Sequence, residues 1–264
     1  MSNASITTSD LSIGYANRVV QQHLSLCFER GEMVCMLGPN GCGKSTLLRT
    51  LAGLQPALGG NYTFSEKTAT ATTTKTELPA LVLTEHEAMD STTVHDIVAM
   101  GRYHHTSFLG GLTDEDEQII ADALDAVGMS PLALSEPCSR FGERGRGKGA
   151  SFTALSDGEK ARVLIAKALA QQTDVILLDE PTAHLDLPNR IHLLRLLRRL
   201  AHEQQKTVLI STHELELALS LSDRILLLSP DCGGAVLDTA EALKKADAFA
   251  TAFGMDIFNP LTSS

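Results

Sequence analysis

The segment Gly38 to Thr46 reads Gly-Pro-Asn-Gly-Cys-Gly-Lys-Ser-Thr, the pattern G-x-x-x-x-G-K-S-T. It follows Met33 to Leu37, an apolar run of strand length. It precedes Leu47 to Leu54, a helical pattern that stops near Pro56 and Gly59-Gly60. A strand that runs through a glycine-rich turn into a helix has little conformational choice. The glycines let backbone N–H groups turn inward, the helix presents its positive N-terminus, and together they cradle phosphate. In that pattern Lys44 reaches the β- and γ-phosphates, the Ser45 hydroxyl offers an oxygen to Mg²⁺, and Thr46 adds a phosphate contact. The expected nucleotide-contacting set is therefore Gly38, Pro39, Asn40, Gly41, Cys42, Gly43, Lys44, Ser45 and Thr46. Cys42 sits beside Lys44 and a helix start, which predicts a lowered thiol pKa and inactivation by alkylating agents.

A second constellation supports this expectation. Val175 to Leu178 is a purely apolar strand that ends in Asp179-Glu180, placing two carboxylates at the carboxyl edge of a sheet, where such folds bind ligands. Asp179 is placed to support Mg²⁺, and Glu180 to act as general base on a water. Around it, helical patterns over Ser156 to Ala170, Ile191 to His202 and Glu214 to Leu221 alternate with apolar strands Thr207 to Ser211 and Arg224 to Leu228. Short apolar strands between helices imply a parallel sheet covered on both faces. Ile6 to Phe28 instead mixes β-branched residues with turn signals, as an antiparallel sheet does.

Between the halves the pattern changes. Val94 to Met100 and Glu115 to Val127 have helical periodicity, acidic residues from Asp114 to Glu117 sit at the second start, and Thr113 with Asp116 predicts a capping box. This suggests a helical subdomain inserted into an α/β core. Thr68 to Thr76 is Thr-rich and predicts an exposed hairpin or loop. Arg140 to Gly149, glycine-rich and basic, predicts a loop; its Arg144 to Lys148 stretch is either solvated or reaches a partner. A formal charge of −10 argues against gripping nucleic acid by its phosphates. There is no signal-like N-terminus and no apolar run of bilayer length. The five cysteines lack metal-like spacing, which is expected of reduced thiols in the cytosol.

Leu155-Ser-Asp-Gly-Glu-Lys, just before a helix, resembles the signature of ABC ATPases, usually Leu-Ser-Gly-Gly-Gln. The rest of the family order is present: Thr182-Ala-His-Leu-Asp186 resembles the D-loop, His213 in Ile-Ser-Thr-His the switch histidine, and Tyr15 in Ile-Gly-Tyr the aromatic residue that stacks on adenine. The resemblance implies a P-loop NTPase core with an N-terminal antiparallel β subdomain and an inserted helical subdomain. Its expected division is 1–85 and 151–240 for the core, 86–150 for the helical part and 241–264 for a C-terminal helix and tail. It also implies ATP and Mg²⁺ as ligands, and Lys44, Glu180 and His213 as catalytic residues. Ser156 and Gly158 of one copy would complete the other copy's site, and Asp186 is expected among the nucleotide-site residues. Asp157 and Glu159 depart from Gly and Gln, and Asp157 is expected to point away from nucleotide. The family's usual metal-contacting Gln is missing. Leu81-Val-Leu-Thr-Glu-His offers Thr84 or Glu85 in its place, unless neither reaches the metal.

A transport motor is expected over a DNA-repair or other non-transport ATPase, which would carry a coiled-coil insertion or a second cassette. Asp96-Ile-Val-Ala-Met-Gly-Arg-Tyr and Gly110-Gly-Leu-Thr-Asp-Glu-Asp resemble the ATPase subunits of iron-siderophore, haem and cobalamin importers. That implies a head-to-tail pair with a second copy, permease subunits docked within Thr84 to His105, and indirectly an extracytoplasmic substrate-binding protein, with no nucleic acid. It places the chain in the cytoplasm, on the inner face of the membrane. His86, His95, His104 and His105 are expected to be solvated or at that interface, not metal ligands.

Overall fold

The apolar strand β4 (Met33–Leu37), buried at every position, sits centrally in a parallel sheet and delivers the chain into the glycine-rich turn. The computed structural model describes residues 3–16, 18–65, 78–83, 92–105, 111–129, 150–230 and 234–254. Its contacts divide the chain into two units. One comprises Met1–Leu81, Asp174–Pro181 and Leu194–Ser264; the other comprises Val82–Thr173 and Thr182–Leu193.

In the first unit, β4 is flanked in parallel by β8 (Thr207–Ser211) and β9 (Arg224–Leu228), and β8 pairs in parallel with β7 (Val175–Asp179). With β6 (Ala80–Leu83) and β10 (Ala235–Asp238) at its edges, the sheet runs β10-β9-β4-β8-β7-β6. Wholly buried strands match the continuous apolar runs expected of a parallel sheet. The helix α1 (Lys44–Leu51) packs on β7 and on the N-terminal strand Ala4–Tyr15, and its Leu47, Leu48 and Leu51 are fully buried in the core they share, each contributing roughly 1.5–3 kcal/mol by burial. The helix α5 (Leu187–Gln204) follows β7, and α6 (Leu215–Leu221) follows β8. Near the C-terminus come α7 (Ala240–Lys245) and α8 (Ala248–Phe253), with Phe249 of α8 buried against β9.

The N-terminal segment forms the expected antiparallel sheet. The strand β1 (Ala4–Tyr15) pairs with β2 (Arg18–Leu24), β3 (Cys27–Glu29) and β5 (Gly59–Phe64). Ile6, Leu11, Ile13 and Phe28 join α1 and β4 in one core. At the base, Arg224 makes a bidentate pair with Glu32 (2.8 and 2.5 Å), which also ties down the N–H of Glu29. Neither β5 nor β10 was expected from the sequence.

The second unit is helical: α2 (Val94–Ala99), a 3₁₀ turn (Met100–Arg102), α3 (Asp114–Ala126) and α4 (Asp157–Ala170) pack together. The Thr113–Asp116 capping box is present, and Thr93–Asp96 forms another at the start of α2; such caps are worth about 1 kcal/mol each. Arg102 is buried. Its Nε donates to Asp116 Oδ1 at 2.8 Å, and its Nη1 to Ala170 O and Gln172 Oε1. One guanidinium thus joins the N-terminus of α3 to the C-terminus of α4. No helix among the described residues is long and apolar enough to cross a membrane.

Candidate active site

Gly38 leaves β4 with φ 152°, and a Cβ there would lie 2.4 Å from Leu228 O, so only glycine fits against β9. Gly41 has φ 79° and nothing within 4 Å of where a Cβ would lie, so the crest of the loop faces open space. No side chain caps α1, and its first turn holds no acidic residue. The helix therefore offers its positive end and N–H groups to an anion, with no side chain competing for them. Lys44 is buried, and its Nζ donates to Gly38 O (2.8 Å) and Pro39 O (3.2 Å), bending back over the loop. A cavity of about 420 Å³ opens here, lined by Asn40, Gly41, Gly43, Lys44, Ser45 and Thr46 together with Tyr15, Arg18, Val20, Glu180 and His213. A cradle of glycine, lysine and an uncapped helix start fits the phosphates of a nucleotide, and Tyr15 with Val20 offers an apolar pad for a base. Arg18 and Val20 were missed in the sequence. The register Tyr15↔Arg18 brings them in, because β2 pairs antiparallel with β1 and lies beside Tyr15.

The carboxylates enter from β7. Ser45 Oγ and Ser211 Oγ both donate to Asp179 Oδ1, at 2.9 and 2.6 Å. A hydroxyl and a carboxylate side by side are hard oxygen donors suited to Mg²⁺. Glu180 follows in the left-handed region (φ 51°), a conformation costly for a non-glycine residue that turns it out of strand geometry. Its Oε1 lies 2.5 Å from His213 Nε2.

Cys42 corrects an expectation. The thiol is 2% exposed, and burial pushes its pKa up, outweighing the opposing pull of Lys44. The helix start and the lysine were the visible influences in the sequence; desolvation was not.

In the helical unit Ser156 caps α4. Its hydroxyl donates to Glu159 Oε2 at 2.6 Å and its N–H to the same oxygen, bonds that hold the Glu159 carboxyl below its usual range. Asp157 pairs with Lys160 at 3.3 Å on the exposed surface. Gly158 is buried, and a Cβ there would meet the Asn189 side chain at 3.2 Å. Asp186 Oδ1 accepts from Asn189 N at 3.1 Å at the start of α5. His95 pairs with Glu117 at 2.8 Å, while His104 and His105 are exposed. Thr84, Glu85, His86, the Thr68 to Thr76 stretch and the Arg144 to Lys148 loop lie outside the described residues.

Residues 21–183 match the family model described as ABC transporter. The chain belongs to the ABC transporter ATP-binding family. It is an ATPase of that family, hydrolysing ATP to drive transport. It is 37% identical over 242 residues to the iron(3+)-hydroxamate import ATP-binding protein FhuC of Bacillus subtilis (strain 168), covering 91% of this chain and 83% of that protein. It is 32% identical over 227 residues to the ferric enterobactin transport ATP-binding protein FepC of Escherichia coli (strain K12), covering 85% and 78%. Among solved structures it is similar to an inward-facing metal-chelate type ABC transporter, with TM-score 0.78, 28% identity, and coverage of 96% of this chain and 90% of that one. The expected P-loop α/β core with its antiparallel N-terminal sheet is that of an ABC cassette.

Proposed function

We propose that this ABC ATPase powers import of an iron-siderophore, haem or cobalamin-type cargo, working on the inner face of the cell membrane with permease subunits and, through them, an extracytoplasmic substrate-binding protein. The observation that carries its chemistry is the convergence of Lys44, Ser45, Asp179, Glu180 and His213 in and beside one phosphate cradle. The cargo class is supported by relatives whose names specify ferric-hydroxamate, petrobactin and enterobactin transport.

Adenine stacks on Tyr15, and the triphosphate lies along Gly38 to Thr46. Lys44 exchanges its two carbonyl partners for phosphate oxygens, which recovers a charge-assisted bond. Ser45 and Asp179 would hold Mg²⁺, which would supply positive charge to stabilise the phosphates. Glu180 takes the proton of the attacking water, and His213 holds that carboxylate and the γ-phosphate in register. The site is completed by a second copy bound head to tail. Its Ser156 and Gly158 meet the γ-phosphate, as does the α4 N-terminus, and Asp186 lies alongside. For that contact the Ser156 hydroxyl must leave Glu159.

The test is Glu180→Gln. The variant should keep ATP affinity, run as a dimer with Mg-ATP in size-exclusion chromatography, and lose turnover by at least about 10²-fold. A wild-type rate rejects Glu180 as the base. Uptake assays with ferric hydroxamate, haem and cobalamin in a strain lacking this chain then decide the cargo.

A further inference from the structure

We infer that Ser211, at the end of β8, is a positioning residue that sets the metal-supporting and water-activating carboxylates together; the inference rests on the roles proposed above for Asp179 and Glu180. Ser211 is fully buried and stands opposite Asp179 in the parallel register of β7 and β8. Paired residues of adjacent strands share a face, so its hydroxyl is aimed at the end of β7. Its single proton goes to Asp179 Oδ1 at 2.6 Å, and its oxygen accepts the N–H of Glu180 at 2.9 Å. Both capacities of one hydroxyl are committed, and the rotor is locked.

The two bonds act on different parts of the chemistry. The bond to Asp179 joins that from Ser45 on the same oxygen, fixing how the carboxylate faces the phosphate loop. The bond to the Glu180 N–H holds the peptide at the point where the chain enters its left-handed turn. Besides this bond, that N–H has the carbonyl of Ser211 at 3.2 Å. The same peptide carries the side chain that meets His213. An aliphatic residue at 211 would preserve the strand yet free both carboxylates to drift. Outer partners of this kind are commonly worth tenfold or more in metal affinity or activity.

The test compares Ser211→Thr with Ser211→Val, isosteric side chains that differ in the hydroxyl, with Ser211→Ala as a smaller companion. Affinity for a fluorescent ATP analogue is measured in Mg²⁺ and in EDTA, alongside ATP turnover across a Mg²⁺ titration. The Thr chain should retain the Mg²⁺-dependent tightening and stay within about threefold of wild type. The Val and Ala chains should need roughly tenfold more Mg²⁺ for half-maximal turnover and lose most of the tightening, with binding in EDTA unchanged. Equal behaviour of Val and Thr overturns the inference. Nucleotide affinity that ignores Mg²⁺ already in the wild-type chain instead overturns the metal role of Asp179, and normal turnover in Glu180→Gln overturns the base, so the failures are distinguishable.

Discussion

His213 Nε2 lies 2.5 Å from Glu180 Oε1, so the histidine at the end of β8 already grips the carboxylate that follows β7. A ring nitrogen facing a carboxylate carries the proton, which assigns Nε2 as the donor. Both side chains are substantially exposed, 48% and 38%, so the pair adds little to stability. His213→Ala should therefore leave the unfolding midpoint within a degree or two while lowering turnover by about 10²-fold. ATP affinity should change by less than about fivefold. Calorimetry, turnover and nucleotide titration on one preparation check all three. A variant that loses midpoint and turnover together would make His213 a structural residue.

Cys42 should resist thiol reagents. Burial raises its pKa and closes access, so iodoacetamide at pH 7.5 should leave it unmodified until the chain is unfolded. Cys27 is exposed and should react in the same sample. Site-resolved mass spectrometry distinguishes the two. Labelling of Cys42 as fast as Cys27 would show that the loop opens readily.

Arg102 should hold the helical unit together. Arg102→Ala leaves the Asp116 carboxylate buried without its cation and strips partners from Ala170 O and Gln172. The midpoint should fall by about 10 °C, a size expected for breaking a buried ion pair. The pH dependence has a definite sign. The Thr113 backbone bond, followed by Arg102 and the Thr113 hydroxyl, holds the Asp116 carboxyl down at about 2. A depressed folded pKa gives stability that is present above the unfolded value near 4 and lost as pH falls through 2. Wild type and Arg102→Ala should converge in stability between pH 4 and 2. A constant gap over that window would assign the pair's effect to packing alone.

How much of this was legible in the sequence depends on whether a feature is local. The phosphate loop was legible because its glycines, strand and helix are contiguous, and Asp179-Glu180 because an apolar strand points at it. The strand β5 begins on Gly59-Gly60, which in the sequence is a stop signal, yet it is accepted because β1 offers a paired edge. The four-residue β10 exists as an antiparallel addition to β9. Arg18, Val20 and Ser211 reach the site through strand register, which no local pattern encodes. The Asp96 to Tyr103 segment that suggested an importer contains Arg102, whose observed bonds all serve packing within the helical unit.

Gln21 is placed by contacts far along the chain. It is fully buried on β2, and its Nε2 donates to Cys42 O at 2.9 Å and Ser229 O at 2.5 Å, linking the phosphate loop to the residue after β9. The amide orientation is fixed, since flipping it would turn an oxygen toward two carbonyls. Its Oε1 has no partner, the one buried side-chain polar atom so placed among the described residues. An unmet acceptor costs about 1–3 kcal/mol, while each bond made contributes about 1 kcal/mol. Gln21→Leu relieves the unmet acceptor, which offsets part of the two lost bonds and of the two carbonyls left without this donor, so overall stability should fall by only about 1–3 kcal/mol. The loop, however, loses its tie to β9. ATP affinity should then fall by roughly three- to tenfold, equivalent to about 1 kcal/mol of restraint. Nucleotide titration beside urea unfolding checks both halves. Unchanged affinity would mean that Gly38 and the Lys44 bonds suffice to hold the loop, and unchanged stability would mean that relieving the orphaned oxygen compensates in full for the two carbonyls.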